Sequence, residues 1–166
     1  MTARTAGTTP TTRRPPSWVT VFNPISRSLL RAGVPLGLNG LITVRGRKSG
    51  IPRTTPVAII EDAGRRWIWA PWGEAQWVRN LRAAGHATIR LHRHAEDVTA
   101  RELDRAERVA FFRDTLDPVA RRIHIGPLRP GRWFIRTVDS TDLDDPVGAA
   151  EGRAVFELTP AHRDAA

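Results

Sequence analysis

Apolar and polar residues alternate in short runs over much of this chain, and a few longer runs repeat at helical spacing instead. Leu41 to Arg45 reads as a strand, and Arg53 to Glu61 as a second with Thr55, Val57 and Ile59 on one side. Gly46 to Gly50 is the turn between them. Asp62-Ala63-Gly64 turns the chain into a third strand, Arg66 to Ala70, carrying Trp67 and Trp69. Three strands with short links predict an antiparallel meander. Gly73 opens a helical pattern that runs to Ala84. Trp77, Val78, Leu81 and Ala84 form its apolar stripe, Arg79 and Arg82 point elsewhere, and Gly85 is a good stop.

The outer parts of the chain follow the same rules. Asn23-Pro24 has the pattern of an N-cap followed by proline, with Ile25, Leu29 and Leu30 on one helical face and Gly33 as the end. Thr88 to Leu91 and Val98 to Leu103 predict two more strands around a turn at His92-Arg93-His94. Asp104 caps a helix through Phe111 and Phe112 to about Leu116, and Pro118 starts a second turn or short helix. Ile123 to Gly131 reads as loop, and Trp133 to Arg136 and Arg153 to Leu158 as the last strands. Six or seven short strands with three inserted helices and few βαβ alternations predict a small antiparallel barrel decorated by helices, mainly β within the α+β class. Residues 1–17, rich in Thr, Arg and Pro, predict a disordered tail, and 18–166 a single domain.

Composition narrows the partners. Lys and Arg total 26 against 17 Asp and Glu, giving a net charge of +9, which favours anionic ligands. The absence of cysteine excludes disulfides, thiolate metal sites and cysteine nucleophiles. No apolar run is long enough for a membrane span and the N-terminus has no apolar signal core, so the expected location is the cytoplasm.

The single lysine, Lys48, lies in the glycine-flanked turn Arg45-Gly-Arg-Lys-Ser-Gly50, and Arg53 follows it. A hairpin brings Arg45, Arg47, Lys48 and Arg53 together, where they repel unless an anion or solvent screens them. The group reads either as a phosphate or polycarboxylate clamp or as a solvated basic turn; it has neither Walker nor GxGxxG spacing. Trp69-Ala-Pro-Trp-Gly73 reads either as a stacking wall for a planar ring or as core filling. Arg79 and Arg82 stand a helical turn apart, beside Asn80. His92 and His94 alternate without a third ligand and predict a surface turn, so no metal site is expected. Asp139, Asp142, Asp144 and Asp145 lack EF-hand spacing and predict a solvated or arginine-paired loop.

Arg45-Gly-Arg-Lys-Ser-Gly-Ile-Pro-Arg-Thr-Thr-Pro56, then Ala70-Pro-Trp-Gly-Glu74, then Trp77-Val-Arg-Asn-Leu-Arg-Ala-Ala-Gly85, together resemble the deazaflavin (coenzyme F420)-dependent nitroreductase and quinone reductase family. Arg153-Ala-Val-Phe-Glu-Leu158 is similar to that family's final strand, and the resemblance spans about residues 22–159. It implies a split β-barrel of the FMN-binding split-barrel kind. It implies reduced F420 as cofactor, with a phosphate and a chain of glutamates in its tail, and hydride transfer to an electron-poor acceptor: a quinone, an enone or a nitroaromatic. The tail would meet Arg47, Lys48, Ser49 and Arg53. Thr54, Thr55, Pro56, Val57 and Ala58 would run along the ring system, Trp69, Ala70 and Pro71 would border its reactive face, and Gln76, Trp77, Val78, Arg79 and Asn80 would close the other side. Trp72 and Glu74 would face the substrate. The Ala70-Pro-Trp-Gly73 segment is shorter and bulkier than the glycine-rich stretch of better-known relatives, and the chain has no tyrosine to set over a substrate. An FMN enzyme on the same barrel would use the same groups. A non-enzymatic basic module for nucleic acid or acidic membrane is a third reading; the arginines are scattered over all elements, which argues against specific nucleic-acid readout and leaves peripheral contact with acidic membrane. Barrel edges leave monomer and homodimer both open.

Overall fold

Six antiparallel strands close into a barrel in the order β1-β2-β3-β6-β5-β4, so each strand has two partners. The computed structural model describes residues 39–71, 73–91, 94–122, 131–132, 135–136 and 141–161. The expected N-terminal tail and the helix expected after Asn23 lie outside the described residues, as do Trp72, His92 and Asp139. The strands are β1 Asn39–Arg45, β2 Pro52–Asp62, β3 Arg65–Trp69, β4 His86–Leu91, β5 His94–Glu102 and β6 Val155–Pro160.

Alternation along the strands produces two cores. Ile42, Val44, Val57, Ile59, Ile68, Ile89, Val98, Phe156 and Leu158 belong to one cluster, which fills the barrel. Their sequence neighbours Ile60, Trp67, Trp69 and Val155 belong to a second, on the outer wall. The registers Ile59↔Ile68 and Ile68↔Phe156 keep the inner set together, and Trp69↔Val155 keeps the outer set together. Helix α1, Gln76–Ala84, sends Val78 and Leu81, each 0% exposed, into the barrel cluster and so closes one end. At the end marked by the β2–β3 turn, Arg66 joins Glu61 and Glu96 in an ion cluster.

The outer core packs under a continuous helical stretch: α2 Arg105–Ala110, a π-helical segment Phe111–Leu116 and α3 Asp117–Arg122. Asp104 caps it as expected, in a capping box with Glu107. The expected break near Leu116 does not occur. The backbone widens instead, with the Asp117 N–H reaching the Phe112 carbonyl, directly before Pro118, which has no N–H to give to the ladder. Phe111, Phe112 and Leu116 face inward, and the Phe111 ring stands 5.9 Å from Trp67 and 6.4 Å from Trp69.

Two further expectations are corrected. Ile135 and Arg136, placed in a strand from the apolar run Trp133 to Arg136, have helical backbone. Asp145, placed in a solvated or arginine-paired loop, caps a short helix instead, α4 Pro146–Ala150, by accepting from the Gly148 N–H at 3.0 Å. Asp144 pairs with Arg132 at 2.6 Å, the arginine-paired arrangement expected of this loop. β5 also begins earlier than Val98, at His94, where Glu96 is held by Arg66.

Candidate functional site

The turn between β1 and β2 is built by its glycines. The Gly46 N–H donates to the Ile51 carbonyl at 2.9 Å and the Gly50 N–H to the Gly46 carbonyl at 2.8 Å. Gly50 has φ 67, a conformation costly for other residues. Ser49 Oγ accepts from the Ile51 N–H at 3.4 Å, and Arg45 Nη1 donates to the Gly50 carbonyl at 3.4 Å. The register Val44↔Arg53 and Arg45↔Pro52 carries Arg53 back beside the turn. Arg45, Arg47, Lys48, Ser49 and Arg53 are all exposed.

Helix α1 meets this turn. Its apolar stripe commits Val78 and Leu81 to the barrel, which leaves Gln76 and Asn80, one turn apart, beside the hairpin. Asn80, only 7% exposed, accepts at Oδ1 from the Arg47 backbone N–H at 3.3 Å and from Arg47 Nη1 at 3.0 Å. Gln76 Oε1 accepts from the same Nη1 at 3.1 Å. The structure thus joins two segments that are 33 residues apart in sequence.

The cations of this corner differ from most of the described surface arginines. Arg65, Arg66, Arg79, Arg82, Arg101, Arg113, Arg121, Arg122 and Arg132 each pair with a carboxylate. Among the described residues, no carboxylate pairs with Arg45, Arg47, Lys48 or Arg53. Four cations share a turn with only neutral acceptors, an arrangement that an incoming polyanion relieves. Glu74 is engaged by Arg82 and, at 3.3 Å, by Arg79, and Arg82 is also bound to Glu102. The hydrogen bond from Arg82, then its charge, holds the Glu74 carboxyl below its ordinary range despite some burial. It is a carboxylate at neutral pH, unsuited to giving a proton to a substrate.

The remaining expected site residues divide by face. On β2, Thr54, Pro56 and Ala58 lie half-buried along the outer wall, and Thr54 Oγ1 is 2.9 Å from Thr43 Oγ1. Thr55 and Val57 alternate to the inner side, and Val57 belongs to the barrel core. A ligand lying along this strand therefore meets every second residue of the run. Trp69 is 4% exposed against Phe111 in the outer core, which is the core-filling alternative for that residue and no stacking wall. Ala70 is buried in the barrel cluster, and Val78 likewise. Trp77 is half-buried with its ring 6.1 Å from Phe156. Pro71 is half-buried, and its carbonyl accepts from the buried Arg153 Nε at 3.1 Å. Nothing in the local sequence of Arg153 distinguishes this buried arginine from the surface ones. Among the described residues, no group of three or more His, Asp or Glu is placed to hold a metal ion.

A family model described as F420H(2)-dependent quinone reductase matches residues 27–121, more than half of the chain. Among solved structures, a conserved hypothetical protein from Mycobacterium tuberculosis is 13% identical over 82% of this chain and 80% of its own, with a TM-score of 0.50. An F420-H2 dependent reductase, FDR-A, is 20% identical over 74% of this chain and 94% of its own, with a TM-score of 0.46. A protein described as a domain-swapped dimer is 19% identical over 86% of this chain and 97% of its own, with a TM-score of 0.49. The barrel is of the split β-barrel kind.

Proposed function

Because the chain belongs to the F420H(2)-dependent quinone reductase family, an oxidoreductase family, we propose that it transfers a hydride from reduced F420 to an electron-poor small molecule: a quinone, an enone or a nitroaromatic. The observation that carries the site is the hairpin corner, where Arg45, Arg47, Lys48 and Arg53 are exposed with no carboxylate partner among the described residues. That charge fits a tail of phosphate and carboxylates, and Arg47, Lys48, Ser49 and Arg53 are the residues that would hold it. The half-buried strip Thr54, Pro56 and Ala58 runs from the cations along the outer wall of β2 and is the apolar surface on which a flat ring would rest. Gln76 and Arg79 stand at the exposed start of α1 on the other side.

When bound, the reduced deazaflavin supplies a hydride, and the protein supplies position and electrostatics. A quinone that accepts a hydride also takes up a proton to become a hydroquinone. Glu74, held as a carboxylate by Arg82 and Arg79, is unsuited to giving that proton. Glu74 pairs with Arg79 and Arg82 of α1, on the helix that carries Gln76 and Asn80.

The test is a fluorescence titration of the purified protein with oxidised F420, run beside FMN. Saturable binding of F420, weakened by salt, is expected, followed by turnover of quinones with the reduced cofactor. FMN bound in place of F420 would overturn the cofactor assignment while leaving the barrel and its basic corner in use.

A further inference from the structure

Arg47 is oriented differently from the ion-paired arginines of this surface. In those pairs a carboxylate holds the guanidinium and offsets charge, as Glu102 does for Arg82 at 2.5 Å and Glu157 for Arg65 at 2.5 Å. At the basic turn the acceptors are two carboxamides, Gln76 Oε1 at 3.1 Å and Asn80 Oδ1 at 3.0 Å, both on Nη1. A carboxamide oxygen accepts the same hydrogen bond as a carboxylate and carries no net charge. The remaining guanidinium donors, on Nε and Nη2, have no hydrogen-bond partner among the described residues. Asn80 also takes the Arg47 backbone N–H at 3.3 Å, so it fixes both the turn and its side chain.

We infer that Gln76 and Asn80 are positioning residues which orient Arg47 without neutralising it, keeping a full, directed positive charge for a polyanionic ligand. They act on the ligand through Arg47. This inference rests on the proposed function for the identity of that ligand, and its logic applies to any polyanion that seats on the turn. Fixing a guanidinium beforehand removes the entropy of ordering it at the moment of binding. Replacing the neutral acceptor by an acid would keep the geometry and lose the charge, because an ion pair beside the ligand opposes its approach.

Gln76→Glu against Gln76→Ala separates charge from hydrogen bonding. Both changes fall on an exposed residue at the first position of α1. An acid in a first helical turn is favourable for the helix, so Gln76→Glu should melt no lower than the wild type. Affinity is read by fluorescence titration with oxidised F420 and by calorimetry with inorganic tripolyphosphate. Gln76→Glu should weaken both by about 10-fold and flatten their salt dependence, and Gln76→Ala by only about 2–3-fold. Arg113→Gln, the same change in net charge on the π-helical segment, should leave both affinities within about twofold, since the field of an exposed charge is screened over ~8–10 Å.

If the hydrogen bond alone mattered, Ala would be the worse substitution, and that order overturns the inference, as does a Gln76→Glu variant that binds both ligands like the wild type. Tripolyphosphate binding that is weakened by Gln76→Glu, in a protein that does not bind F420, upholds the inference and overturns the cofactor assignment. Binding of neither ligand by the wild type overturns both.

Discussion

Arg153 and Pro71, 82 residues apart, are joined by a bond of 3.1 Å from the arginine Nε to the proline carbonyl. Arg153 Nη1 donates to the Ala149 carbonyl at 3.0 Å, so one buried guanidinium ties the bend after β3 to the end of α4. Proline has no N–H, so the Pro71 peptide offers only its carbonyl, and the arginine takes it. Arg153→Met should keep most of the buried volume and leave both carbonyls short of a donor. The expected loss is at least about 2–4 kcal/mol of unfolding free energy, the range for the two hydrogen bonds named here from a charged group. Urea denaturation checks it, and a variant as stable as the wild type would show that water replaces the guanidinium.

Gly40 is where β1 has no room for a side chain. A Cβ there would stand 2.5 Å from Ile59 Cδ1 and 2.9 Å from the Arg90 carbonyl oxygen. The isoleucine end can turn, but the carbonyl belongs to the β4 ladder beside β1 and cannot. Gly40→Ala should cost about 1–3 kcal/mol by overpacking. Gly46→Ala is the comparison: its Cβ would meet the Ser49 hydroxyl at 2.8 Å, which can turn away at the loss of one 3.4 Å bond, with the Ile51 carbonyl at 3.3 Å. Thermal melts should therefore rank Gly40→Ala well below Gly46→Ala.

The meander β1–β3, helix α1 with its Gly85 stop and the Asp104 cap were legible because each is written in local pattern. Alternation gave the strands, an i, i+3, i+4 stripe gave the helix, and glycine and aspartate marked the ends. The first residues of β5 were hidden: His94-Ala-Glu-Asp97 has no apolar alternation, and its pairing is driven by partners on β4, with Glu96 taken by Arg66 from β3. The run at Ile135 misled because three or four apolar residues fit either period. Asp145-Pro146, a cap followed by proline at the first turn, did carry the signal for α4. In the candidate site, the cations of the turn were legible as a group, whereas the side of β2 that each residue faces followed only from the register. Trp69 as ring contact or core residue was undecidable locally, because Phe111, its neighbour in the outer core, lies 42 residues on.

Glu157 sets a pH dependence. Arg101, by hydrogen bond, and then Arg65 hold its carboxyl below the ordinary value of 4.5, against an opposing effect of burial. A carboxylate with a depressed folded-state pKa stabilises the protein above its unfolded value, and that contribution is lost as pH falls through the folded pKa. Asp144, held down chiefly by Arg132, works in the same direction. Stability should be level at neutral pH and fall once pH drops below about 4.5. Glu157→Gln should cost at most about 1 kcal/mol at pH 7, since both arginines are largely solvated. Denaturation at a series of pH values should show the difference between variant and wild type closing as the acid limb is descended. A constant difference would mean that Glu157 acts by packing and not by charge.

Lys48 and Arg53 should separate binding from folding. Both are exposed, and neither has a carboxylate or hydrogen-bond partner among the described residues, so the folded state gains nothing from their charge. The like charges of Arg45 and Arg47 stand on the same turn, so removing one cation relieves repulsion. Lys48→Ala and Arg53→Ala should each leave the melting temperature unchanged or slightly raised. Each should weaken F420 binding by about 1–3 kcal/mol, the range of a charge-assisted contact. The two are close enough to share one anionic tail, so the double variant should lose less than the sum of the singles where both contact the same phosphate, and the full sum where they contact different groups. Titrations at two salt concentrations measure this directly, since the affinity that remains should also be the less salt-sensitive part. Unchanged affinity in the double variant, with melting intact, would remove the turn from the binding surface and leave its four unpaired cations to a different anion.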